Sequence, residues 1–188
     1  MMSVYSENDA TRQELAISNA VALFENSPDF PIHNLIYKLK YFGFTRIGLE
    51  YGEMLGDSLI DENLTDYDYI IPVPIHKRKK RERGYNQSDS IVKGINKKLN
   101  SNMKFDLLKR TIYTKSQTQL SAKERLTNVK GVFEVNKKYN LNDKNILVVD
   151  DVLTTSSTIN NCAIALLNSN ARRVDIAVLM KSQSYKSQ

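Results

Sequence analysis

Residues 146–149 read Ile-Leu-Val-Val, and the next two residues are both aspartates. Four apolar residues without alternation suit a parallel strand covered on both faces. Such a strand needs helices above and below it, so this one stretch holds the chain to an α/β class. In such sheets ligands bind just beyond the carboxyl ends of the strands, which is where Asp150 and Asp151 fall. A hydroxyl run follows, Thr154, Thr155, Ser156, Ser157 and Thr158, and leads into a helix predicted over 158–168. A helix N-terminus offers unpaired N–H groups and a positive dipole end, a seat for phosphate. Small Ser and Thr side chains let the backbone come close, and their hydroxyls add donors. The ligand this describes has hydroxyls or a metal near its middle and a phosphate at one end.

The rest of the chain supplies the layers. Ile17, Ala20, Val21 and Phe24 predict an amphipathic helix over 12–25. The "SPDFP" stretch from Ser27 to Pro31 breaks it. Ile32, Leu35, Ile36 and Leu39 mark a second helix, and Ile47, Tyr51, Met54, Leu55 and Leu59 a third over 46–60. "DYIIPVPI" (Asp68 to Ile75) reads as a strand whose end is broken by prolines. A helix follows over 86–99, then a polar stretch over 110–128 without a period. Strands are predicted at 131–135, 145–150 and 173–180, and the helix over 158–168 carries Ile159, Cys162, Ala163, Leu166 and Leu167 on one face. Strand and helix alternate, which argues for a mainly parallel sheet flanked by helices.

Length and composition narrow the function classes. At 188 residues the chain suits one domain, or one domain with a short appendage. Its single cysteine, Cys162, allows neither an internal disulfide nor a Cys-rich zinc site, and a reducing compartment is the default. The N-terminus lacks the pattern of a signal peptide, and no run approaches the roughly 18 apolar residues of a membrane span. A soluble, cytoplasmic protein without membrane insertion is expected. The net charge of +6 fits an anionic partner, nucleic acid or a phosphorylated small molecule, although Lys- and Asn-rich chains also occur without one.

Three rival readings of 146–158 are weighed. The hydroxyls alone suit a helix N-cap. "ILVVDD" also looks like the first strand of a response-regulator receiver domain, but too little chain follows Asp151 to complete one. A Walker-type loop needs Gly and Lys in fixed places, and they are missing.

"VVDDVLTTSST" resembles the phosphoribosyl-pyrophosphate (PRPP) motif of type I phosphoribosyltransferases. The resemblance implies that Asp150 and Asp151 bind the ribose hydroxyls and act in catalysis, and that residues 154–158 cradle the 5-phosphate. Ser156 stands where the family has glycine, a departure that would cost about 1–2 kcal/mol if the backbone there were left-handed. "IPVPIHKRKKRERGYNQS", "SQTQLSAKERLTNVKGVFEV" and "LIYKLKYFG" look like ComF, the competence-associated branch of that superfamily, over roughly residues 31–180. A type I phosphoribosyltransferase-like fold over 31–188 is therefore expected, after an N-terminal helical segment over 1–30.

The resemblance implies further site residues. Pro72, Val73 and Pro74 match the pyrophosphate loop, with Arg83 and Lys40 as further phosphate-binding candidates. Gln117, Ser121, Arg125 and Asn128 match the flexible loop that closes over PRPP. Lys77 to Arg83 reads KRKKRER, six basic residues in seven. It is expected as a basic loop, with a solvated surface run as the plain reading and single-stranded DNA as a candidate partner. Tyr85 and Tyr113 beside the basic segments are weak support for DNA. His33 and His76 stand alone, so no metal site is assigned to them. Magnesium is expected with PRPP, held by the ligand's oxygens and water rather than directly by protein side chains. Most ComF proteins begin with a Cys-rich zinc module, and this chain is expected to do without zinc.

Three functions fit: a phosphoribosyltransferase linked to DNA uptake in natural competence, a non-catalytic PRPP- or nucleotide-sensing protein, or a competence accessory protein that binds single-stranded DNA. Nothing identifies an acceptor substrate.

Overall fold

The computed structural model describes residues 16–25, 36–39, 43–112, 132–153 and 156–181. Beside helical residues at 36–39, the described residues form, in chain order, β1 (Ala20–Glu25), α1 (Thr45–Asp61), β2 (Tyr69–Pro72), α2 (Lys77–Arg83), α3 (Gln87–Leu99), β3 (Asn102–Met103), β4 (Leu108–Arg110), β5 (Phe133–Val135), β6 (Asn145–Leu153), α4 (Ser156–Leu167) and β7 (Arg173–Lys181). A five-stranded sheet runs β1-β7-β6-β2-β3, and β4 with β5 forms a second, antiparallel pair. Every pairing in the larger sheet is parallel.

The apolar run at 146–149 sits at the centre of this sheet. Ile146 and Val148 point to one face, packed with Ile159, Cys162 and Leu166 of α4 and with Phe133 of β5. Leu147 and Val149 point to the other, packed with Leu55 and Leu59 of α1 and Ile91 and Ile95 of α3. Both faces are covered, which is why the run shows no alternation. Each fully buried Leu or Ile contributes roughly 1.5–3 kcal/mol.

On the second face α1 and α3 pack backbone to backbone. A Cβ on Gly94 would lie 2.2 Å from the Leu49 carbonyl oxygen and 2.7 Å from Gly52 Cα, so only glycine fits there.

Two expectations need correction. The helix predicted over 12–25 is not formed at its C-terminal part: Ala20–Glu25 is a strand at the sheet edge, paired with β7 from Ala20↔Ile176 to Glu25↔Lys181. Spacing of Ala20, Val21 and Phe24 fits a helix, but Val21 and Leu23 pack on one face of the sheet and Ala22 on the other, the period of a strand. Asn19 anchors the entry to this strand. Its N–H and its side-chain amide both donate to Asp175 Oδ1 at 3.0 Å, while the Tyr67 hydroxyl donates to Oδ2 at 3.0 Å.

The second correction concerns Lys77 to Arg83, expected as a loop, which is a short helix. His76 caps it, its Nδ1 accepting from the Arg78 N–H at 3.2 Å, and Gly84 ends it at φ +80. Lys and Arg are good helix formers, and here both end signals are present.

The helices predicted over 46–60, 86–99 and 158–168 and the strands at 68–75, 131–135, 145–150 and 173–180 form within a few residues of their expected bounds, while the helix marked by Ile32, Leu35, Ile36 and Leu39 lies mostly outside the described residues. No helix among the described residues is long and apolar enough to cross a membrane.

Candidate functional site

The two acids lie where the sheet opens. β2 pairs with β6 only as far as Pro72↔Val149, and the last contact is the Val73 N–H on the Val149 carbonyl at 2.8 Å. β6 continues beside β7 to Leu153. Beyond Val149, then, β6 has lost its neighbour on the β2 side, and Asp150 and Asp151 lie on that unpaired stretch. Asp150 is partly exposed, whereas Asp151 is buried.

Asp150 is held in place. Its Oδ1 accepts from the Ser88 hydroxyl at 3.0 Å and from the Asp151 N–H at 2.9 Å. Ser88 belongs to the first turn of α3 and has no exposed surface.

That turn, "RGYNQS", ties three other segments together. The Tyr85 hydroxyl donates to the Leu39 carbonyl and accepts from the Gly43 N–H. Asn86 Nδ2 donates to the Val73 carbonyl at 3.0 Å, bracing the proline turn. Arg83 Nη1 donates to Gln87 Oε1 at 3.2 Å, so its guanidinium lies over the start of α3. Sequence reasoning quoted this motif but assigned no chemistry to Asn86 or Ser88, and took Tyr85 only as weak support for DNA. Their partners are far away in the chain, and only the fold reveals them. The engaged Tyr85 hydroxyl gives this residue a structural task.

Arg110 was missed as well. It ends β4, with its guanidinium 5.5 Å from the Phe133 ring. Burial lowers its pKa, while its interactions with Cys162 and the Asp150 carboxylate act to raise it. The only sequence signal was its place at the head of the polar stretch. Cys162 is buried, and burial pushes its thiol well above the usual range.

Ser156 opens α4 and takes helical backbone, so the left-handed strain considered for a non-glycine residue there does not arise. Ser157 is exposed and Thr158 half-buried in the first turn of α4. Pro72 and Val73 are buried at the end of β2, with Pro74 partly exposed. Thr154, Thr155, the Ser156 side chain, Lys40, Gln117, Ser121, Arg125 and Asn128 lie outside the described residues, as do His33 and Tyr113. Among the described residues no group of three or more His, Cys, Asp or Glu side chains is placed to hold a metal ion.

The model of the phosphoribosyl transferase domain matches residues 85–188, more than half of the chain. The chain belongs to the phosphoribosyl transferase domain family. Within that family it is 30% identical over 156 residues to the DNA utilization protein YhgH of Shigella flexneri, covering 81% of this chain and 68% of that one. It is 37% identical over 92 residues to Competence protein F of Haemophilus influenzae, covering 48% of this chain and 40% of that one. These relatives agree with the ComF resemblance. Among solved structures it is similar to the glutamine PRPP amidotransferase of B. subtilis complexed with ADP and GMP, at 16% identity and a TM-score of 0.49. That match covers 75% of this chain and only 30% of the amidotransferase.

Proposed function

We propose that this phosphoribosyl transferase domain protein binds PRPP with Mg²⁺ in the crevice beside Asp150 and Asp151, and transfers the phosphoribosyl group to an acceptor nitrogen. The carrying observation is the placement of the two acids where β2 leaves the sheet, with Asp150 held by Ser88 at 3.0 Å. A carboxylate whose orientation is fixed in advance binds hydroxyls without reorganising.

The residues divide the ligand by its chemistry. Asp150 and Asp151 take the ribose hydroxyls and stabilise positive charge as it develops at C1. The hydroxyl run 154–158 and the start of α4 take the 5-phosphate. The Pro72-Val73-Pro74 turn, with Arg83 and Lys40, takes the pyrophosphate. Gln117, Ser121, Arg125 and Asn128 lie in the segment that closes over the ligand. A pair of carboxylates is a hard-oxygen set that suits Mg²⁺. Asp150 Oδ1 already accepts two hydrogen bonds, which favours an ion held mainly by the ligand's own oxygens and water. The ion would neutralise charge on the departing pyrophosphate. Such a reaction fits the cytoplasm, where PRPP chemistry needs no export.

Pyrophosphate release from PRPP tests the reading, measured with purine and pyrimidine bases in turn. Acceptor-dependent release that Asp150→Asn abolishes supports transfer. Binding of PRPP without release for any acceptor would leave the sensing function in its place.

A second reading rests on α2, which carries six basic residues in seven and buries none of them. With relatives named for DNA utilization and competence, this surface suits single-stranded DNA. DNA affinity that falls steeply with salt and ignores Asp150→Asn would favour it.

A further inference from the structure

Arg110 ends β4 directly opposite Phe133 of β5. Its guanidinium lies over the Phe133 ring, 5.5 Å from the centroid. Phe133 in turn packs in one cluster with Val148 of β6 and with Ile159 and Cys162 of α4. Side chains alternate along a strand, so Asp150 leaves β6 on the face that Ile146 and Val148 present to this cluster. Stacking and strand period thus bring Arg110 and Asp150 to the same side of β6. The electrostatics agree, since Asp150 acts on both Arg110 and the Cys162 thiol.

Each of the two needs what the other carries. Arg110 is partly buried, and a cation away from water needs an anion. Cys162 is not that anion, because burial pushes its thiol well above the usual range and keeps it neutral. Asp150 is followed directly by Asp151, and adjacent carboxylates repel. Ser88 reaches Asp150 Oδ1 from the α3 layer at 3.0 Å, but as a neutral donor it adds no charge. The cation lies in the opposite layer, with β4 and α4. Its stacking on Phe133 fixes the guanidinium plane before any ligand arrives.

We propose that Arg110 is a positioning residue for Asp150: stacked on Phe133, it is the ionic partner that holds this carboxylate toward the ligand and offsets the charge of the acid pair, a role that rests on reading Asp150 and Asp151 as the ribose-hydroxyl acids. Ser88 and Arg110 then support one carboxylate from opposite layers, the first by a hydrogen bond and the second by charge. PRPP stays anionic even with Mg²⁺ bound. Loss of the one cation beside two carboxylates is therefore felt in its binding, although Arg110 itself touches no substrate atom.

Two measurements on the full-length protein keep this role apart from the ligand reading. Urea unfolding of wild type, Arg110→Met, Asp150→Asn and the double variant needs no ligand. Methionine keeps apolar contact with Phe133 and removes the charge; Arg110→Gln replaces it if that variant does not fold. An ionic pair predicts coupling, so Arg110→Met lowers the midpoint in wild type and lowers it clearly less once Asp150→Asn is present. Calorimetric titration of PRPP with Mg²⁺ then compares wild type, Arg110→Met and Arg110→Lys. Binding is expected to weaken by about tenfold in Arg110→Met, and Arg110→Lys to recover about threefold of that loss. Rescue by a differently shaped cation marks charge rather than packing. Three results would overturn the proposal: equal midpoint losses with and without Asp150→Asn, PRPP bound equally by wild type and Arg110→Met, or Arg110→Lys binding no better than Arg110→Met. If wild type binds no PRPP, the ligand reading fails, and the unfolding cycle still decides whether Arg110 holds Asp150.

Discussion

Ser88 has no exposed surface, and its hydroxyl reaches Asp150 Oδ1 at 3.0 Å. Removing that donor takes away one of the two hydrogen bonds described at Oδ1 and leaves the Asp151 N–H. A hydrogen bond to a charged group contributes about 1.5–3 kcal/mol. If part of that is spent on orientation, Ser88→Ala should weaken PRPP binding by about tenfold while leaving the fold in place. Titration of PRPP into the variant, beside a melting curve, checks both halves. Equal affinity would mean that Asp150 needs no support from α3. The position of the two aspartates near the end of a covered strand was legible in the sequence because they directly follow an unbroken apolar run. Ser88 was not, because a serine in a helix's first turn reads equally well as a cap and its partner lies 62 positions away.

At the scale of elements, what could be read was whatever carries its own signal. α3 and β6 show their period or their apolar run directly. β1 does not: Ala20, Val21 and Phe24 suit either period, and the hydrogen bonds to β7 decide between them. For the same reason the basic run was misjudged, since charge says nothing about backbone and its two end signals, His76 and Gly84, are single residues. The α1–α3 contact is a more exacting test of packing. Gly94→Ala places a methyl group 2.2 Å from the Leu49 carbonyl oxygen and 2.8 Å from the Glu53 nitrogen. Backbone cannot move aside as a side chain can. Overpacking of this kind costs about 1–3 kcal/mol, which should appear as a lower denaturation midpoint with an unchanged m-value. A midpoint equal to wild type would mean that the two helices are free to separate.

For the molecule as a whole, stability depends on ties between segments distant in sequence. Asp68, just before β2, accepts from Lys144 Nζ at 2.9 Å and from the Asn145 N–H at 2.9 Å, fixing the start of β6 beside β2. The Lys144 side-chain hydrogen bond, followed by the Asn145 N–H, lowers the Asp68 pKa from its ordinary 3.8. A carboxyl whose folded pKa is depressed stabilises the fold fully above its unfolded value, and that stabilisation is lost as pH falls through the depressed folded value. Asp68→Asn should therefore be less stable than wild type at neutral pH, and the gap should close in acid below 3.8. Melting curves across that range decide it; a gap that persists in acid would assign the effect to something other than ionisation. The central claim, that the crevice is a ribose-phosphate cradle, is most directly tested by calorimetric titration of PRPP, with and without Mg²⁺, into wild type and Asp150→Asn/Asp151→Asn. The account predicts magnesium-dependent micromolar binding to wild type and none to the variant, with both proteins folded. Equal binding to the two, or no binding to wild type at millimolar PRPP, would contradict it.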